Sequence, residues 1–235
     1  MRRTTPTVFQ PLDDEASFAR WGDGWTAAGV IRALEPLAMP RRVSRIRDVF
    51  AARLNSVTVV MDAPHDPHNG AAIMRSCEAF GVQCLHAVER IEPFLVARKV
   101  SQGTERWIDV IRHRDVKSAL GALERGRYEL VVAHPEGELV PADLRHIERV
   151  AIMMGNERDG VCEELTRAAA HTVRVPMRGF VESLNVSVTT ALLLAPAVGD
   201  RVGDLSDAEQ ETLVARALIA SVPRAEVILG NMRPG

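Results

Sequence analysis

Cysteine is scarce in this chain. There are three in 235 residues, Cys77, Cys84 and Cys162, and no two form a CxxC pair. An odd number without metal-site spacing excludes a disulfide scaffold, and reduced, buried thiols in a cytoplasmic protein are the expectation. No apolar run reaches the length of a bilayer; ALLLAPAV, at 191–198, is too short and contains Pro196. The opening residues, MRRTTPTVFQPLDDEASF, lack an apolar core and carry acids, so no signal peptide is expected there. An excess of one charge is missing too: Lys and Arg number 29, Asp and Glu 31, for a net −2. No global field draws the chain to nucleic acid, so any such binding must come from a local basic patch.

Missing motifs narrow the chemistry. The chain has no GxGxxG turn and no GxxxxGK[ST] loop, which removes the two commonest nucleotide-phosphate cradles. It has no GxSxG elbow, which argues against a serine hydrolase. His65 and His68 stand beside Pro64 and Pro67 in an irregular loop, without a cysteine or histidine partner at metal spacing, so no metal is expected. There is no internal repeat and no low-complexity tract.

What remains is an ordinary globular composition, 46% hydrophobic and 26% charged, long enough for one α/β domain with flanking arms. Prolines and glycines break residues 1–40 into an irregular arm, although Phe9, Phe18, Trp21 and Trp25 suggest that it docks. Residues 41–54 read as a helix with Val43, Ile46, Val49, Phe50 and Leu54 at helical spacing. From 57 onward strands (57–61, 82–88, 107–111, 128–133, 150–154, 172–175) alternate with helices (70–80, 115–125, 141–147, 161–170, 186–195). Residues 94–106 are irregular or helical. Strands apolar on both faces alternating with helices predict an α/β fold, a parallel sheet with helices on both faces. Pro196 and Gly199 read as a linker. Ser206 followed by Glu209 is a capping box that opens a final helix over 207–221. The expected organisation is an arm over 1–40, a domain over 41–197 that includes the basic leading helix, and a helical extension over 198–235.

Three stretches put polar groups directly after strands, where open parallel sheets bind ligands. In HNGAAIMRSCEAFGV (68–82), Asn69 reads as a helix N-cap and Arg75 points away from the Ile73, Cys77, Phe80 stripe. Arg75 is either a solvated partner of Glu78 or an arginine facing a phosphate or ribose, a role its planar fork suits. In GNERDG (155–160) two glycines bracket Asn156, Glu157, Arg158 and Asp159; this is either a tight polar turn or a loop that approaches a ligand. In VRVPMRGFVESLNVSVTTALLL (173–194), Ser183 or Asn185 can cap the following helix, but capping accounts for one of them and leaves Glu182 unused. The 41–54 helix carries five arginines, at 41, 42, 45, 47 and 53, against the single acid Asp48. In a chain of net −2 that bias favours an RNA contact through Arg41, Arg42, Arg45 and Arg53.

Asn69…Arg75, GNExxG at 155–160 and VPMxGxVESLNVS at 175–187 resemble, in order and spacing, the three motifs of the SpoU branch of the SPOUT methyltransferases. The likeness covers about residues 41–197. The surroundings of Asn69, the SQGTERW run at 101–107 and the basic helix are similar to the subgroup of tRNA guanosine 2′-O-methyltransferases that act on the D-loop. The resemblance implies a sheet whose C-terminal part is threaded into a trefoil knot, an exception to the rule against knots. It implies an S-adenosylmethionine site in that knot and a homodimer with tRNA as partner. It further implies catalytic roles for Arg75, Asn69, Glu157, Ser183 and Asn185, and cofactor contacts from Ala133, Gly155, Val175, Met177 and Leu184. The same chemistry on ribosomal RNA, and a non-catalytic RNA-binding protein of the same fold, are the alternatives.

Overall fold

A computed structural model describes Phe18 and residues 24–91, 93–94, 103–156 and 158–232. In chain order these hold α1 (Ala27–Leu34), α2 (Pro40–Ala51), β1 (Val57–Asp62), α3 (Pro67–Ala79), β2 (Cys84–Val88), β3 (Asp109–His113) and α4 (Val116–Arg125). There follow β4 (Glu129–Ala133), β5 (Val150–Met154), α5 (Glu163–Ala168), β6 (His171–Val173), α6 (Val186–Val198), α7 (Asp207–Ser221) and α8 (Ala225–Asn231). Short 3-10 turns occupy Glu35–Leu37, Thr104–Arg106 and Pro141–His146. Among the described residues Leu54–Arg201 form one compact unit; residues up to Arg53 and those from Val202 form another. The basic helix α2 therefore belongs with the terminal helices, and the division falls at 54 where the sequence suggested 41.

The first unit is a six-stranded sheet in the order β3-β2-β1-β5-β4-β6, with every pairing parallel. β1 reads Val-Thr-Val-Val-Met-Asp and is buried throughout, as a central strand covered on both sides must be. Its side chains alternate between two cores. Val57, Val59 and Met61 join Ile73, Met74 and Cys77 of α3 and Leu193, Leu194 and Ala197 of α6 on one face. Val60 joins Val116, Ala119 and Leu123 of α4 and Leu165 of α5 on the other. The chain runs outward through β1, β2 and β3, then returns to build β4 and β5 on the far side of β1. That reversal opens a crevice beyond the carboxyl ends of the central strands.

Several boundaries differ from the sequence reading, each for a local reason. α3 starts at Pro67 because Asp66, not Asn69, is its N-cap: the Asp66 carboxylate accepts the His68 N–H at 2.8 Å. Asn69 lies in the first turn. α6 runs through Pro196 to Val198, and Gly199, at φ +38°, ends it. Pro196 falls in the last turn, so the backbone bond to Leu192 that it cannot make is lost only at the helix end. Residues 161–170 shrink to the short α5, and 141–147 is a 3-10 turn rather than an α-helix. The three thiols are free; Cys77 is buried as expected, whereas Cys84 and Cys162 are only half-buried.

The second unit packs α1 and α2 against α7. Val30 and Leu34 of α1, Val43, Ile46 and Phe50 of α2, and Leu213, Val214, Ala217 and Leu218 of α7 are its buried residues. Helix α1 corrects the irregular reading of residues 1–40. Thr26 caps it by accepting the Gly29 N–H at 3.1 Å, and Pro36 comes only after its last turn. Phe18 and Trp25 are buried; Phe9 and Trp21 lie outside the described residues. The Ser206–Glu209 box opens α7 as its sequence predicts, and α8 adds a helix that the sequence did not disclose.

Candidate active site

The loops after β4, β5 and β6 enclose a cavity of about 390 Å³. Ala133 ends β4, Gly155 follows β5, and Val175, Met177 and Leu184 come from the segment after β6; all five line the cavity. Glu182 and Ser183 line it from the same segment, with Thr189 from α6. Its walls mix aliphatic side chains with polar ones, His134, Asn156, Glu182, Ser183 and Thr189 among them, and its volume lies within the range of small-molecule sites, about 300–1,000 Å³.

The floor of the cavity is a loop wound on itself. Asn156 N–H donates to Gly160 O at 3.3 Å, and Gly160 N–H returns to Asn156 O at 3.1 Å. The Asn156 side-chain oxygen accepts the N–H groups of Arg158 and Asp159, each at 2.9 Å. Gly155 must be glycine for this to close: a Cβ there would stand 2.1 Å from the Gly160 carbonyl carbon. Glu157, expected at the centre of the loop, lies outside the described residues.

Asp62 anchors the loop from below. It ends β1, is buried, and takes Arg90 through two hydrogen bonds, Nε to Oδ1 at 2.7 Å and Nη2 to Oδ2 at 3.2 Å. Oδ2 also accepts the Cys162 N–H at 2.7 Å, just past the loop. The hydrogen bond to Asp62 raises the Arg90 pKa above its ordinary value. Burial pushes the Cys162 thiol up, which keeps it protonated.

Beside the cavity the first and third motifs meet. Asn185 is the N-cap of α6; its side-chain oxygen accepts the Ser187 N–H at 2.8 Å and the Ser187 hydroxyl at 2.6 Å. With its oxygen used, its amide nitrogen donates to Asn69 Oδ1 at 3.0 Å. One side chain thus starts the helix and holds the first motif. Asn69 lines a smaller pocket that shares Met154, Gly155, Asn156 and Val186 with the main cavity. Arg75 does not line either. It is exposed two turns along α3, in a separate depression of about 570 Å³ with Ser76, Phe80, Thr104 and Trp107.

Residues 56–195 match the SpoU rRNA Methylase family. The chain belongs to that family. It is 34% identical over 165 residues to the Escherichia coli K12 tRNA (guanosine(18)-2′-O)-methyltransferase, covering 69% of this chain and 71% of that one. The Thermus thermophilus enzyme of the same name is 34% identical over 162 residues, covering 68% of this chain and 84% of the relative. Among solved structures, the Aquifex aeolicus TrmH/SpoU tRNA modifying enzyme aligns at a TM-score of 0.68 and 25% identity, over 78% of this chain and 98% of its own. An AdoMet-bound rRNA methyltransferase from Sinorhizobium meliloti aligns at 0.52 and 26%, over 65% and 59%.

For this SpoU chain, then, one cavity gathers Ala133, Gly155, Val175, Met177, Ser183 and Leu184, with Asn69 and Asn185 bonded at its edge. Asp62 and Arg90 escaped the sequence reading, and Asn156, named there within the polar loop, was given no role of its own. An acid closing an otherwise apolar strand was the signal for Asp62; Arg90 is 28 residues away and carried none. On α2, Arg41, Arg42 and Arg45 are exposed, and Arg42 donates to the Ser221 hydroxyl at 3.2 Å. Arg53 corrects the expectation of four RNA-facing arginines: it is 1% exposed, its guanidinium carbon lies 6.0 Å from the centre of the Phe50 ring, and a side chain enclosed in protein cannot reach a phosphate.

Proposed function

We propose that this chain is an S-adenosylmethionine-dependent methyltransferase that modifies the ribose 2′-hydroxyl of a D-loop guanosine in tRNA. The observation that carries the reading is the strand-end cavity, which gathers every expected cofactor residue and abuts the Asn69–Asn185 pair. The cavity suits a nucleoside with an amino-acid arm, since it offers aliphatic surface from Val161, Val173, Val175 and Leu184 beside polar groups from Asn156, Glu182, Ser183 and Thr189, with one buried amide left to satisfy. When bound, the cofactor supplies an electrophilic methyl group.

The protein's share is to position, orient and stabilise. Gly155, Val175, Met177 and Leu184 hold the donor, largely through backbone groups and aliphatic surface. Ser183, Asn185, Asn69 and Glu157 orient the ribose hydroxyl beside it. Arg75 acts through its guanidinium on the alkoxide that develops as the hydroxyl attacks. The hydroxyl proton passes to the neighbouring substrate phosphate or to water. Arg75 and Asn69 are six residues apart on one helix, about 9 Å along its axis, a span that a nucleotide with its phosphate can bridge.

The RNA is gripped by Arg41, Arg42 and Arg45 of α2. The same reading takes α6 as threaded through a trefoil knot and the working form as a homodimer in the cytoplasm. α6 supports the dimer: Val188 and Leu192, four residues apart, are 47% and 44% exposed, and Phe180 and Val181 stand uncovered in the preceding loop. A helix apolar on every side calls for a cover on every side. Among the described residues no helix is long and apolar enough to cross a membrane.

The test is to incubate the protein with labelled S-adenosylmethionine and unmodified tRNA or rRNA, then map the methylated nucleotide. A 2′-O-methylguanosine in the D-loop is expected. Label in rRNA alone, or in neither RNA, would overturn the tRNA reading.

A further inference from the structure

The loop after β5 uses only half of Asn156. Its side-chain oxygen accepts two backbone N–H groups, from Arg158 and Asp159, and this fixes which end of the amide is which. The other end, Nδ2, is buried and has no hydrogen-bond partner, in a residue 7% exposed. Buried donors are nearly always paired, since an unmet one forfeits its hydration without return. The turn does not need it. An aspartate would accept the same two N–H groups and close the same loop. What asparagine adds at this position is the donor alone.

Asn156 lines both the main cavity and the smaller pocket that holds Asn69. We infer that Asn156 is a cofactor-binding residue, whose Nδ2 donates a hydrogen bond to an acceptor atom of the bound adenosyl compound. This rests on the methyltransferase reading and adds to it a side-chain contact, where the expected cofactor residues contribute mainly backbone and aliphatic surface. The Asp62–Arg90 pair supports the role indirectly. By holding the Cys162 N–H it ties down the far end of the loop that aims Asn156.

The informative variant is Asn156→Asp, which keeps the turn's acceptor and replaces the donor with a second acceptor. Binding of S-adenosylhomocysteine and of methylthioadenosine is measured by calorimetry, without turnover. Neither ligand carries net charge, and the second lacks the amino-acid arm. About tenfold weaker binding is expected, with the thermal midpoint of the ligand-free protein unchanged. Weakening for both ligands puts the acceptor in the nucleoside; weakening for S-adenosylhomocysteine alone puts it in the arm. Unaltered affinity for both overturns the inference while leaving the methyltransferase reading intact. A wild-type protein that binds neither ligand overturns both. If N156D does not fold, Asn156→Ser serves, since its hydroxyl can still accept in the turn but carries no amide; it is expected to weaken binding likewise, and undiminished affinity again overturns the inference.

Discussion

The proposed chemistry leans on two residues, one for its charge and one for the absence of a side chain. Arg75 is exposed and lies outside the cofactor cavity. Arg75→Ala should therefore lower turnover by about 10²–10³-fold, the usual loss for a donor that meets a developing negative charge, while leaving cofactor affinity unchanged. Single-turnover methylation set against calorimetry separates the two effects, and near-normal turnover would dismiss the catalytic role. Gly155 acts in the opposite sense. A methyl group there meets the Gly160 backbone at 2.1 Å, and the backbone cannot swing aside as a side chain might. Gly155→Ala should weaken cofactor binding and cost about 1–3 kcal/mol of stability in urea titrations. Gly155 carried a local signal, a glycine straight after a buried strand; Arg75, off the apolar stripe, left two readings open in the sequence, and its catalytic role rests on the family resemblance. Asp62 with Arg90 was not legible, because an ion pair closed across 28 residues needs the strands in register before the two side chains can meet.

At the scale of elements, the strands and most of the core helices could be read from the chain, since alternating apolar runs report burial directly. The helix ends were harder. Asp66 won the cap of α3 over Asn69 through Pro67, which favours the first helical position. The polar pairs between strands were not legible at all. His86 on β2 and His113 on β3 share a 2.8 Å hydrogen bond, Nδ1 to Nε2, with both rings buried. Burial, and then the neighbouring His113, lower the His86 pKa from 6.5 to about 3; burial lowers that of His113 as well. Below pH 6.5 the unfolded chain takes up protons that the folded pair refuses. Stability contributed by the neutral pair is therefore complete above about pH 6.5 and falls as the pH drops toward 3. The slope from His86 approaches about 1.4 kcal/mol per pH unit. Urea titrations at pH 7, 6 and 5 should show this decline. The double variant His86→Leu/His113→Leu should flatten it, and a wild-type curve without slope would contradict the account.

For the whole molecule, the proposed function assigns a partner to each of two surfaces. The exposed arginines of α2 predict electrostatic binding of tRNA. The affinity should fall steeply with salt, and Arg41→Ala/Arg42→Ala/Arg45→Ala together should make the log–log slope shallower by about 2–3, near 0.7–0.9 for each phosphate no longer neutralised. Filter binding across a salt series measures this, and an unchanged slope would remove α2 from the RNA interface. The uncovered face of α6 predicts self-association. Sedimentation should give twice the chain mass for the wild type and one chain for Leu192→Glu, and a monomeric wild type would leave that face without a partner.

The hydrogen bond between Asn185 and Asn69 joins residues 116 apart along the chain. Five strands, β2 to β6, are synthesised between the first side chain and the second. A growing chain that has emerged only as far as β6 possesses its sheet and much of its core but no finished pocket. The site is completed only when α6 has followed β6 and its cap reaches back to α3. A bond of such sequence separation forms slowly because the intervening loop must be closed first. Order along the chain thus sets order of assembly: the sheet can form first, and the pocket is completed last.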